Sequence, residues 1–170
     1  YEQDVDKAKS MLEDAGVSGL KLKLGYMSSD AVQSAQALLI QEQLKEVGVT
    51  VELAGGDGTA IANAMKDPDN EYDMYLGGYI MGIDPDTFSS LFENDGAYNY
   101  MHYSGYDTID QLFEEGRSEL DESARKETYA KLQAAVQDTG AFYPIISNNK
   151  ILVVNNRIQG VEDAGLVPVY

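Results

Sequence analysis

The chain contains no cysteine, and this absence excludes several kinds of chemistry. Disulfides, thiolate nucleophiles and cysteine-based metal sites all require a thiol. Histidine occurs once, at His102, so a zinc site would need Asp or Glu for its other ligands. Ser104 lies near His102, but no serine stands in a G-x-S-x-G motif. The sequence therefore predicts neither a hydrolase nor a resident metal or other cofactor, and loop polarity is the favoured interpretation of His102.

Basic residues are also scarce. Lys and Arg total 12 against 29 Asp and Glu, which gives a net charge of −17. Such a surface repels phosphate backbones, so nucleic acid is excluded as a partner. No apolar run approaches the roughly 20 residues that span a bilayer. The hydrophobic share of 44% nevertheless indicates a folded chain rather than a disordered acidic tail.

Length places the chain in the range of one domain. A domain of 170 residues buries about 70% of the surface that its unfolded chain exposes. Residue 1 is Tyr rather than Met, and no signal peptide is visible. We therefore expect residues 1–170 to form a single α/β lobe excised from a longer protein.

Hydrophobic periodicity predicts a βαβ unit in the first third of the chain. Apolar residues alternate with polar ones in residues 20–24 and again in residues 49–53, which is typical of strands with one buried face. Between them, an apolar stripe at helical spacing begins after Ser29 or Asp30 and ends at Gly48. Strands joined in this way are expected to be parallel, with a right-handed crossover.

The remaining patterns predict more strands and helices. Residues 72–78 lack alternation, which favours a central strand covered on both faces. Asp107 and Asp110 resemble a capping box, and Asp121 is a candidate cap for the next helix. Residues 142–146 and 150–155 read as two further strands. The predicted fold class is thus α/β, with a mixed sheet of about five strands and helices on both faces.

The most informative segment is the end of the third predicted strand. Gly77 and Gly78 open into an apolar loop, and Asp84-Pro85-Asp86 then begins a helix, with Asp84 as its N-cap. Ligands of open α/β sheets gather at the carboxyl ends of strands, and glycine lets a ligand approach the backbone. The segment is either the floor of a binding cleft or a plain strand-to-helix turn.

Tyrosines cluster around this segment. Tyrosine combines a large apolar face with a hydroxyl group, which suits ligands of mixed polarity. Tyr72 and Tyr75 are expected in the core, whereas the loop tyrosines are cleft candidates: Tyr79, Tyr98, Tyr100, Tyr103 and Tyr106. Two other loops are weak candidates, since residues 55–58 lack the Walker spacing and residues 67–70 lack the EF-hand pattern.

A series of short motifs carries a family resemblance. In order they are D-x-A-x-x-M-L-x-x-A-G at residues 6–16, Q-x-x-L-x-x-x-G-V-x-V-E-L at 41–53, Y-D-M at 72–74, D-P-D at 84–86, the Asn99, Tyr103, Asp110 and Leu112 set, the Asp121, Arg125, Tyr129 and Gln133 set, and the ending with Pro144 and residues 155–160. Each motif is weak alone, but their order resembles the C-terminal lobe of the family 5 extracytoplasmic solute-binding proteins of ABC importers.

The resemblance implies a type II periplasmic-binding-protein-like fold, in which two lobes close on a ligand. This chain resembles one lobe, with the N-terminal lobe as its missing partner and residues 142–155 near the hinge. An ABC permease is the implied membrane partner, and the implied location is extracytoplasmic, either periplasmic or as a cell-surface lipoprotein. The candidate ligand-binding residues are Gly77, Gly78, Tyr79, Ile80, Met81, Asp84, Asn99, Tyr100 and Tyr103.

The chain departs from the family pattern at two places. In close relatives an aspartate four residues before the D-P proline binds the α-amino group of the peptide, and here that position is Met81. The tryptophan beside that loop is also missing, with Gly78-Tyr79 in its place. Either Asp84 substitutes for the aspartate, or the ligand is more apolar, blocked or not a peptide.

The resemblance implies a non-enzymatic binding lobe that captures oligopeptide-like solutes. Two alternatives remain open at this stage. A nickel complex or another non-peptide solute is compatible with the presence of His102. An enzyme with paired carboxylates is the third possibility, although no spacing in the sequence demands it.

Overall fold

The computed structural model describes residues 2–80, 82–102, 107–147 and 153–161. These residues form α1 (Val5–Asp14), β1 (Lys21–Met27), α2 (Ala31–Glu46), β2 (Thr50–Gly56), α3 (Gly58–Ala64), β3 (Met74–Tyr75), a 3₁₀ helix (Pro85–Phe88), α4 (Ser89–Phe92), α5 (Asp107–Ser118) and α6 (Glu122–Asp138). No helix in this part of the chain combines the length and apolar character that a membrane span requires.

The βαβ unit is confirmed. Strands β1 and β2 pair in parallel, so that Leu22 lies opposite Val51 on one face. The Asp30 carboxylate caps α2 by accepting from two backbone N–H groups in its first turn. Gly48 follows the helix with φ +85°, a conformation that favours glycine and lets the chain turn into β2.

The third strand is shorter and less central than its sequence suggests. The sheet order is β2-β1-β3, so β3 is an edge strand among the described residues. Its ladder ends where the Leu76 N–H donates to Gly25 O at 2.9 Å, and Gly77 then leaves the sheet. The run lacks alternation for another reason: Met74 and Leu76 pack against the sheet core, whereas the Tyr75 hydroxyl bonds to that of Tyr79.

The prediction of a mixed sheet of about five strands was wrong for the described residues, which contain three strands, all parallel. Residues 142–147 form neither a strand nor a helix, and the side chains of Tyr143, Ile145 and Ile146 are exposed. A strand requires a hydrogen-bonding partner, and the described part of the chain supplies none for this segment. Of the other predicted strand, residues 150–152 lie outside the described residues and residues 153–155 form no strand.

Helices cover both faces of the sheet, as expected. On one face, Leu24 and Val51 pack against Ala37 of α2, with Leu12 of α1 at the margin. On the other face α3 lies against β1, where a Cβ on Gly58 would come within 2.7 Å of the Met27 sulfur.

A second apolar core lies between α4, α5 and α6. Its buried members are Leu91, Phe92, Ile109, Leu112, Phe113, Tyr129 and Leu132. The capping-box interpretation of Asp107 and Asp110 was wrong, because Asp107 is already helical. The Asp110 carboxylate instead accepts from the backbone N–H and side-chain amide of Asn94, at 3.0 and 2.8 Å. This contact ties the loop after α4 to α5.

Candidate ligand-binding wall

The segment that follows β3 exposes an unpaired backbone. Gly77 and Gly78 are exposed, and Ile80 is 72% exposed. Within the described part of the chain, no backbone hydrogen bond involves residues 77–80. Exposed N–H and C=O groups of this kind bond either to water or to a ligand. We call residues 77–80 and 82–83 the wall.

Gly77 and Gly78 differ in the space that surrounds them. A Cβ at Gly77 would lie 2.9 Å from Cε2 of Tyr75, so the ring leaves little room there. At Gly78 nothing lies within 4 Å of such a Cβ, and the backbone is not in the left-handed region. Neither packing nor backbone conformation requires glycine at position 78. The open space above it is therefore available to a ligand.

Tyrosines border the wall on its buried side. The hydroxyls of Tyr75 and Tyr79 are 2.8 Å apart, and burial, followed by this bond, raises the pKa of Tyr75. Burial and the neighbouring Tyr79 and Tyr98 raise the pKa of Tyr100. The rings of Tyr98 and Tyr100 meet edge to face, with centroids 6.1 Å apart. The raised pKa values keep the hydroxyls of Tyr75 and Tyr100 neutral at physiological pH, so these two groups offer hydrogen bonds without charge.

Asp84 is held by the protein itself. Its carboxylate accepts from the Asp86 N–H at 2.8 Å and caps the 3₁₀ helix, as predicted. It also accepts from Nη2 of Arg125, at 2.9 and 3.1 Å from its two oxygens. The Arg125 guanidinium, and then the Asp86 N–H, hold the pKa of Asp84 below its usual value. Asp84 thus anchors the C-terminal end of the wall to α6.

A second arginine secures the residues beyond the wall. Arg117 Nε donates to Asp86 at 3.1 Å, and its terminal nitrogens donate to Glu93 at 2.9 Å and Glu114 at 3.1 Å. The hydrogen bonds that Arg117 donates to Glu93, and then to Asp86, raise the pKa of this guanidinium, so it stays charged. Sequence reasoning missed Arg117, because no motif contained it, whereas Arg125 stood in the D…R…Y…Q set without an assigned role.

Two other candidates line a separate open pocket. Asn99 and Tyr100 share a cavity of about 410 Å³ with Lys66 and His102. Asn99 is buried, and its amide donates to Glu93 O at 3.2 Å, which shapes the turn. Tyr100 is the candidate that links this pocket to the wall, through its proximity to Tyr79. Met81 and Tyr103 lie outside the described residues.

His102 has a local structural partner. Its Nε2 lies 2.6 Å from the Met65 carbonyl oxygen, so this nitrogen carries the proton and donates. Among residues 2–80, 82–102, 107–147 and 153–161, no group of three or more histidine or acidic side chains is placed to hold a metal ion.

Comparison with known proteins gives a consistent result. Residues 1–100 match the model of bacterial extracellular solute-binding proteins, family 5 middle region. The ABC transporter substrate-binding protein CtaP of Listeria monocytogenes superposes with a TM-score of 0.80 at 39% identity, over 85% of this chain and 30% of that one. A putative peptide-binding protein, AppA of Clostridium difficile, gives a TM-score of 0.77 at 33% identity, over 83% and 29%. The peptide transport periplasmic protein SapA of Haemophilus influenzae is 26% identical over 91% of this chain and 28% of its own length.

The fold is that of the type II periplasmic-binding-protein-like proteins, and its known relatives are solute-binding proteins rather than enzymes. The chain belongs to family 5 of the bacterial extracellular solute-binding proteins. It spans about 30% of the length of the relatives that it matches.

Proposed function

We propose that this chain is one lobe of the substrate-binding component of an ABC importer, and that it captures oligopeptide-like solutes. The observation that carries the proposal is the unpaired, exposed backbone of residues 77–80 beneath the open space at Gly78. An extended peptide needs such N–H and C=O groups as partners for its own backbone. The names of SapA and of AppA from Bacillus subtilis, which refer to peptide transport and oligopeptide binding, support the same class of ligand.

The proposed mechanism is capture between two lobes. The wall supplies backbone hydrogen bonds, Tyr79 and Ile80 supply apolar contact, and the N-terminal lobe of the same protein closes over the ligand. Closure is a shift of population towards a state that the ligand stabilises. The closed protein then presents the solute to a membrane permease from an extracytoplasmic position, either in the periplasm or as a cell-surface lipoprotein. The lobe by itself is expected to bind more weakly than the two-lobed protein.

The test uses the full-length protein and Gly78→Val. The lobe tolerates the larger side chain because its Cβ meets open space, but the side chain blocks the approach of a ligand backbone. Native mass spectrometry first identifies the carried-over solute, and calorimetry then measures its affinity. We expect at least a tenfold loss for Gly78→Val with an unchanged melting temperature. Ala130→Val, which adds the same side chain on the exposed face of α6, is the matched control. Equal affinity in both variants contradicts the proposal.

A nickel complex is the less supported alternative. Of the His102 ring nitrogens, Nε2 is committed to the Met65 carbonyl, which leaves only Nδ1 for a ligand. Titration of Ni²⁺ against the wild-type protein and His102→Ala separates the two possibilities. Binding that His102→Ala abolishes supports nickel, whereas the absence of binding favours a peptide ligand.

A further inference from the structure

The wall carries no charged side chain although the protein is strongly acidic. Residues 74–83 include no Asp, Glu, Lys, Arg or His in a chain with a net charge of −17. Two apolar side chains stand out towards solvent, with Ile80 72% exposed and Ile83 fully exposed. A ligand at the wall therefore meets glycine backbone, tyrosine and isoleucine.

The carboxylates that flank the wall on its C-terminal side are all engaged within the protein. Residues 77–93 contain three acidic side chains. Asp84 is paired with Arg125, and Asp86 and Glu93 are both paired with Arg117. An arginine placed within hydrogen-bonding distance of a carboxylate reduces its attraction for another cation.

The two carboxylates on the N-terminal side of the wall also accept hydrogen bonds within the protein. Glu71 accepts from Nζ of Lys23 at 2.5 Å. Asp73 accepts from the backbone N–H of Lys23 at 2.7 Å. Every acidic side chain from residue 71 to residue 93 thus accepts a hydrogen bond from a donor inside the protein.

Contacts other than the ion pair with Asp84 also hold the Arg125 guanidinium in position. Its Nε donates to Gly116 O at 2.8 Å, and its guanidinium lies 4.9 Å from the centre of the Tyr129 ring. These contacts fix the guanidinium whether or not a ligand is present. An ammonium group that approached Asp84 would meet a fixed like charge.

We infer that the wall recognises its ligand without a charged anchor, and that the protein accepts peptides whose amino end is blocked. The inference rests on the proposed function and specifies its substrate class. Selection at the wall then comes from backbone hydrogen bonds and from the fit of apolar side chains to Ile80 and Ile83. Asp84 acts as a positioning residue for the wall rather than as a contact for the ligand amine.

The test compares two matched peptides on the full-length protein by calorimetry at pH 7. Both have the same apolar sequence and an amidated C-terminus, and they differ only in a free or an acetylated amino group. We expect dissociation constants within threefold of each other. Preference for the free amine by more than threefold overturns the inference while leaving peptide capture intact. If neither peptide nor the carried-over solute binds, the proposed function itself has failed.

Two variants test whether Asp84 contributes to any preference between the free and the acetylated peptide. In Asp84→Asn the ratio of the two dissociation constants should equal the wild-type ratio, even if both affinities fall because the wall shifts. Asp86→Asn is the matched control, since it weakens the neighbouring arginine pair without altering Asp84. A ratio that changes by more than threefold in Asp84→Asn alone assigns Asp84 to the ligand amine and overturns the inference. The ratio reports on the amine contact and is insensitive to a purely structural loss.

Discussion

Arg125 donates from Nη2 to both carboxylate oxygens of Asp84, at 2.9 and 3.1 Å, across 41 residues of sequence. The same guanidinium binds Gly116 O and stacks on Tyr129. One side chain therefore joins the end of the proposed ligand wall to the α5–α6 pair. Three residues of the family motifs, Asp84, Arg125 and Tyr129, meet in this contact.

Removal of Arg125 should loosen the wall and destabilise the α5–α6 pair. Arg125→Ala loses the bond to Gly116 O and the stack on Tyr129 as well as the pair with Asp84, and packing by the arginine stem is lost with them. We expect the melting temperature to fall by several degrees in a circular dichroism melt. Arg125→Lys keeps the charge but not the planar contacts, so its melting temperature should lie in between. An unchanged value for Arg125→Ala contradicts this account.

Two leucines provide a test of the second core. Leu91, a residue of α4, is 1% exposed, whereas Leu120 is 98% exposed. Leu91→Ala should reduce the free energy of unfolding by about 2–5 kcal/mol, because it removes buried methyl groups and leaves a cavity. The same substitution at Leu120 should change it by less than about 0.5 kcal/mol. Urea denaturation measures both, and equal effects would show that Leu91 is not a core residue.

Gly116 is expected to resist enlargement although it lies inside a helix. A Cβ there would be 2.8 Å from Cζ of Tyr129. Overpacking of this kind costs about 1–3 kcal/mol, which equals or exceeds the gain of about 1 kcal/mol from replacing glycine in a helix. Gly116→Ala should therefore lower the urea midpoint. Gln111→Ala, at an exposed position of the same helix, is the control, and a rise in the Gly116→Ala midpoint is the contrary result.

The Asp84 pair should contribute to acid sensitivity. Its pKa is depressed in the folded state, so the folded protein binds fewer protons than the unfolded chain below about pH 4. The stabilisation is present above the unfolded pKa and is lost as pH falls through the folded pKa. Urea midpoints measured between neutral pH and about pH 3 should fall less steeply for Asp84→Asn than for the wild type. Asp14→Asn, at the exposed end of α1, should follow the wild-type curve.

Local signals predicted the parts of the fold that depend on local chemistry. The βαβ unit followed from alternation and helical spacing, and Asp84 and Asp121 each cap a helix as predicted. Of the two candidates for the cap of α2, Ser29 and Asp30, the structure has Asp30. Asp110 was misread because its carboxylate bonds to Asn94, 16 residues away, rather than within its own helix. No local pattern distinguishes those two outcomes.

The ligand-binding role of the candidate site stays a prediction. The glycine pair and the apolar loop are where the sequence placed them, and Gly78 is open as the cleft interpretation requires. The ion pair between Asp84 and Arg125 could not be deduced from the sequence, because the two residues are 41 positions apart. Asn99 and Tyr100 belong to a neighbouring pocket with Lys66 and His102, which depends on how the loop after α4 packs near α3.

The sequence by itself determined the family, the order of the first strands and helices, and the uncharged character of residues 74–83, since each follows from residue types and their spacing. Only the tertiary structure decided that, among the described residues, β3 lies at the edge of the sheet and residues 142–147 have no strand partner. It also decided which carboxylates are paired with arginines. Those properties depend on contacts between distant residues, and such contacts leave no periodic trace in the chain.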